Sequence, residues 1–166
     1  MSRFTGPVIL LGAVLLQVVL SPYIRVSGVH PDLVLLVVVS WVFLRGVREG
    51  LVWALMGSLG LELFSAAPFG VLTFSLLTTT IVAGLGHGRL FGSSIVLPLS
   101  LTFPLSLLFN GLALVLMFLL GRPVVWLDAF SNVLLPAAIY NTMMMVLVFP
   151  PLYLLNRFLN PQPLAM

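Results

Sequence analysis

The sequence predicts an all-α, polytopic integral membrane protein, with about six transmembrane helices forming one domain over residues 1–166 and both termini cytoplasmic. Three observations carry that prediction. First, the 166-residue chain is 61% hydrophobic and 7% charged, with a mean hydropathy of +1.24, whereas soluble domains carry roughly 25% charged residues. Seven arginines, no lysine and four carboxylates cannot cover a water-facing surface, so the apolar excess must meet lipid. Second, the apolar residues gather into six runs, several close to the roughly 17–25 residues that a helix needs to cross a bilayer core. Third, the arginines sort by side. If the N-terminus is inside, Arg3, Arg45, Arg48, Arg89 and Arg157 face the cytoplasm while Arg25 and Arg122 face out, as the positive-inside rule requires.

The runs follow in order. The first spans residues 4–20 and ends at "SPY"; "VVLSPYIR" lacks a small-residue cleavage pattern, so it reads as an uncleaved span. The second opens at "HPDL" and reaches about Leu44, and the third covers residues 51–64. Fusing these two would bury Arg45, Arg48 and Glu49 in mid-membrane at about 2.5–3.5 kcal/mol each. "RGVREG" is therefore expected to be an interfacial turn, with Arg45 and Arg48 as topology anchors and Arg89 as another on the same side. The fourth run covers residues 71–85, the fifth 95–120 and the sixth 133–155, with "GRPVVWLDAFSN" read as the longest connection. Short spans are expected to borrow their flanks.

Composition also removes function classes. The arginines are scattered, which argues against a nucleic-acid face. The absence of cysteine excludes disulfides and thiolate chemistry. His30 and His87 fall on opposite sides and have no ligand-like spacing to Asp32 or Asp128, so neither a metal nor a cofactor is expected. No serine sits in a nucleophile elbow and no lysine-bearing phosphate loop exists, so neither catalytic residues nor an enzyme are expected.

The residues that remain are polar groups inside apolar runs. Ser58, Glu62 and Ser65 fall on roughly one face of the third run, while Gly46, Gly50, Ala54 and Gly57 form a close-packing face beside them. Glu62 is expected to be a polar anchor toward another helix or a partner, near the outer interface. Asp32, after Pro31, is expected to cap its own helix. Ser75, Thr78 and Thr79, and then Thr102, Ser106 and Asn110, repeat at helical spacing; together with Asn141 and Thr142 they are expected to form interhelical ladders. Prolines at 98, 104, 136, 150 and 151 are expected as tolerated kinks, and Met143–Met145 as adaptable packing.

Taken together, "HPDLVLLVVVSW" and "REGLVWALMGSLGLELFSAAPFGVLTFSLLTTTIVAGL" resemble the MreD family over residues 30–86. The matching positions are Pro31, Asp32 and Leu33, then Gly50, Gly57, Gly60 and Glu62, then Pro68 and Gly70; Glu62 stands where the family usually has Asp. The resemblance implies a non-enzymatic scaffold of the bacterial rod-shape complex, multi-pass in the cytoplasmic (inner) membrane. It also implies association with an MreC-like protein and, through it, with the MreB filament, a RodA-type glycosyltransferase and a class B penicillin-binding protein that build sidewall peptidoglycan. The polar faces of spans four to six leave a second reading, the substrate-binding membrane subunit of an energy-coupling-factor vitamin transporter.

Overall fold

The computed structural model describes residues 5–20, 22–24, 28–85 and 96–159. The sixteen-residue α1 (Thr5–Leu20) is followed by α2 (Leu33–Arg45), α3 (Val47–Phe64), α4 (Val71–Leu85), α5 (Val96–Leu119), α6 (Trp126–Ala129) and α7 (Leu135–Leu159). A π-helical segment, Phe130–Leu134, joins α6 to α7, so Trp126 to Leu159 is one continuous rod. The described residues contain no strand, and the all-α prediction stands. Pro98–Leu119 and Trp126–Phe158 are long and apolar enough to cross a membrane, while Leu33–Arg45 and Val71–Leu85 are shorter apolar helices.

Side-chain contacts fix the helix directions. The α-carbon face of Gly50 abuts Val42, and that of Gly57 abuts Val34, so α2 and α3 are antiparallel. Gly6 meets Trp53, Gly57 meets Leu10 and Gly60 meets Val14, which makes α1 parallel to α3. Asp32 bonds Asn141 and Arg45 bonds Asn156, so α2 and α7 run together. Ser106 bonds Asn141, and Gly111 sits beside Leu134, which sets α5 against α7. Consecutive long rods therefore alternate in direction, and Arg45, Arg48 and Asn156, with Arg157 next to it, gather at one end while Arg122 lies at the other. Arg3, Arg25, Arg89 and His87 lie outside the described residues.

The central element is the thirteen-residue α2, in which every residue from Val34 to Phe43 is buried. A helix that is apolar all round has no solvent face to spare. Here α1, α3, α4, α5 and α7 all pack against it. Its valines and leucines therefore meet protein rather than lipid, and a short α2 is consistent with that enclosure. Leucines and valines left exposed on the outer helices, such as Leu11 and Val19 of α1 and Leu147 of α7, form the apolar outer surface.

Two expected boundaries shift. The turn at "RGVREG" narrows to Gly46 alone, whose φ of 91° and ψ of 175° suit only glycine, and Arg48 and Glu49 already belong to the first turns of α3. The expected loop at 121–132 is helical from Trp126 onward. Its polar residues bond back within the helix, Ser131 Oγ to the Leu127 carbonyl and Asn132 Nδ2 to Asp128 Oδ1, so they do not oppose it. The π-turn closes with the Leu135 amide on the Phe130 carbonyl, directly before Pro136. Proline has no N–H and its ring crowds the carbonyl four residues back, so a widened turn relieves the helix there.

Candidate functional site

The end of the bundle where α1, α3 and α5 finish and α2, α4 and α7 begin holds two buried carboxylates. Pro31 and Asp32 lead into α2, and both are buried. The Asp32 carboxylate makes no capping bond to α2. Its Oδ2 instead accepts from Asn110 Nδ2 of α5 at 3.0 Å and from Asn141 Nδ2 of α7 at 2.9 Å. Asn141, fully buried, also accepts the Asp32 amide on Oδ1 at 2.8 Å and donates to Ser106 Oγ at 2.7 Å. One carboxylate and two carboxamides thus tie three helices together, with every donor neutral.

The expected cap by Asp32 is therefore corrected. The α2 amide of Val34 is satisfied by Gln17 Oε1 of α1 at 2.9 Å, so the acceptor comes from another helix. Sequence reasoning passed over Gln17. A lone glutamine in the apolar run "LLGAVLLQVVL" was the available signal, since a buried carboxamide in such a run must find partners.

Glu62, 5% exposed at the end of α3, performs the capping that was expected of Asp32, but for the following helix. Its Oε1 accepts the amides of Gly70 and Thr73 at 2.9 Å each, two of the donors that the start of α4 leaves without intrahelical acceptors. Gly70, at φ 97°, turns the chain so that its amide points back. Negative charge at this position also complements the helix dipole. Ser58 is fully buried and bonds the Leu55 carbonyl, whereas Ser65 is exposed and accepts the Ala67 amide. Ser58 and Glu62 therefore lie on α3 and Ser65 just beyond its end, and the three side chains share no hydrogen-bond network.

The small residues of α3 are covered by this chain's own helices. A methyl group on Gly57 would come within 2.6 Å of Val34 and 3.3 Å of Leu10, and one on Gly60 within 3.1 Å of Val14. Gly50 is backed by Val42 and Thr80, and Ala54 is fully buried. The expected ladders divide in two. Ser106, Asn110 and Asn141 do bridge helices, but Ser75, Thr79 and Thr102 donate to carbonyls four residues back in their own helices. A short hydroxyl reaches its own backbone first, whereas the longer carboxamide with two N–H groups reaches a neighbour.

At the opposite end, Arg45 donates to Asn156 Oδ1 at 2.6 Å, lies 5.5 Å from the Trp41 ring centroid and is 3.8 Å from Glu49. Trp41 donates to Glu49 at 3.1 Å and stacks on Trp53 with centroids 4.1 Å apart. The anchor is thus more than a snorkelling charge, because the guanidinium holds the ends of α2, α3 and α7. The described residues contain no group of three or more potential metal ligands.

A family model described as rod shape-determining protein MreD matches residues 2–159. The chain belongs to the MreD family. Comparison with curated proteins and with solved structures returns no match. Membership in MreD makes this a membrane protein with a role in rod-shape determination. The match extends past residues 30–86 to α5 and α7, and so includes Asn110 and Asn141 along with the Asp32 that they hold.

Proposed function

We propose that this MreD protein is a non-enzymatic scaffold of the cell-elongation complex, crossing the bacterial cytoplasmic membrane six times with both termini inside. It binds an MreC-type partner and thereby supports sidewall peptidoglycan synthesis by a RodA-type glycosyltransferase and a class B penicillin-binding protein, with MreB engaged indirectly. The family match over residues 2–159 carries this reading. The polar architecture supports it, because each buried carboxylate holds helices through one of its oxygens and the small-residue face of α3 is spent on internal packing. Such a protein offers a fixed shape rather than a reaction. Glu62 contributes by setting the connection between α3 and α4, where Phe64 and Phe69 are 61% and 73% exposed and available to a partner.

The test is to tag the chain in its host, solubilise membranes gently and identify stoichiometric partners by mass spectrometry. Recovery of an MreC-like protein or RodA-type synthase is expected; recovery of a coupling subunit with two ATPases would instead establish the transporter reading. Glu62→Leu, compared at equal expression and at a temperature where both proteins are fully folded, is expected to lower partner recovery by about tenfold, equivalent to about 1.4 kcal/mol. Unchanged recovery would remove Glu62 and its loop from the interface.

A further inference from the structure

A half-enclosed cavity of about 500 Å³ opens at the carboxylate-bearing end, between α1, α5 and the α3–α4 connection. Its volume lies within the roughly 300–1,000 Å³ typical of small-molecule sites. Most of its wall is apolar, including Leu61, Phe64, Phe109 and Met117, but one part of it is built from His30, Asp32, Asn110 and Gln17. Asp32 Oδ2 is already taken by Asn110 and Asn141, while Oδ1 accepts no hydrogen bond among the described residues. His30 Nδ1 is buried and likewise has no partner among them. A buried polar atom without a partner is costly, as at His30 Nδ1.

We propose that this cavity binds the head of an aminophospholipid, with the primary ammonium donating to Asp32 Oδ1 and His30 Nδ1 and the first methylenes lying on the apolar wall. Three features select that ligand. Among the described residues, the lining includes one carboxylate and no arginine or lysine, which favours a cation over an anionic head. An ammonium with three N–H groups supplies the donors that the two free acceptors require, whereas a quaternary choline head supplies none. The cavity also opens beside the ends of α1 and α3, and exposed Phe64 and Val133 in its lining let acyl chains leave toward the bilayer.

The experiment is native mass spectrometry of the full-length protein in mild detergent, with equimolar phosphatidylethanolamine, phosphatidylcholine and phosphatidylglycerol competing. Phosphatidylethanolamine is expected to form adducts with about five-fold preference over each of the others. Asp32→Asn, which keeps an acceptor for Asn110 and Asn141 but removes the charge, should bring that preference close to parity. Because Asp32 also ties helices together, Ala67→Trp serves as a second variant; it fills the cavity from the α3–α4 connection and leaves the carboxylate intact. It should remove the preferred adduct at an unchanged melting temperature. Equal binding of the three lipids, preference for phosphatidylglycerol, or a phosphatidylethanolamine preference that survives Ala67→Trp would each overturn the proposal. So would an Ala67→Trp protein that keeps its lipid adducts yet loses its protein partner, which would make the cavity a seat for a partner's side chain.

Discussion

Asp32 takes its donors from side chains on two remote helices, 78 and 109 residues along the chain, whereas Glu62 takes its donors from backbone amides 8 and 11 residues ahead. Both are buried carboxylates at the same end of the bundle, 8% and 5% exposed. Glu62 needs only a turn that presents free amides, which any sequence with a suitable glycine can supply. Asp32 needs particular residues, Asn110 and Asn141, on helices that must already be packed. The first arrangement orders a local connection, and the second reports and enforces the tertiary arrangement of α2, α5 and α7.

The largest expected effect follows from the remote arrangement. Asn141→Leu removes three bonds at once and leaves the buried Asp32 amide without its acceptor. At roughly 0.6 kcal/mol for an average interhelical bond, plus a penalty for the unpaired amide, the loss should be about 2–4 kcal/mol. Reversible unfolding in mixed micelles measures it. A loss below about 1 kcal/mol would mean that the α2–α5–α7 contact is held by apolar packing alone and that the contrast with Glu62 fails.

The local arrangement should cost less to disturb. Glu62→Ala deletes a cap and is expected to destabilise the protein by about 1–2 kcal/mol, the range seen when a capping acceptor is lost. Glu62→Gln keeps an oxygen for the Gly70 and Thr73 amides and should stay within about 0.5 kcal/mol of the parent in the same assay. If Gln costs as much as Ala, charge at the start of α4 matters more than acceptance of its amides, and Glu62 acts through the helix dipole.

How much of this was legible in the sequence divides along the same line. Helix positions follow from apolar runs, so α4 at Val71–Leu85 and the end of α3 at Phe64 coincide with the residues expected. The start of α6 was hidden because Pro123, Asp128 and Asn132 read as loop chemistry until Asn132 is seen bonding Asp128 one turn back. At the site, Asp32, Ser106, Asn110 and Asn141 all stood out as polar residues in apolar surroundings. Their mutual pairing did not, because spacing within one helix carries no information about which remote helix lies alongside. The exchange of expected roles between Asp32 and Glu62 has the same cause: a capping residue is recognised by its place before a helix, yet the caps of α2 and α4 arrive from Gln17 and Glu62, outside that window.

The smallest expected effect tests whether reach decides which polar residues join helices. Thr79 is fully buried on α4, where an interhelical ladder was expected, but its hydroxyl donates to the Ser75 carbonyl of the same helix at 2.8 Å. That carbonyl already accepts from the α-helical ladder, so replacing the hydroxyl with a methyl in Thr79→Val breaks no contact between helices and strands no amide. Valine also fits the same volume and adds apolar contact, which offsets the lost bond. The change in unfolding free energy should therefore stay within about 0.5 kcal/mol. A loss approaching that of Asn141→Leu would show that the α4 hydroxyls exchange partners across helices in the membrane, and side-chain length would no longer separate the residues that knit the bundle from those that only satisfy themselves.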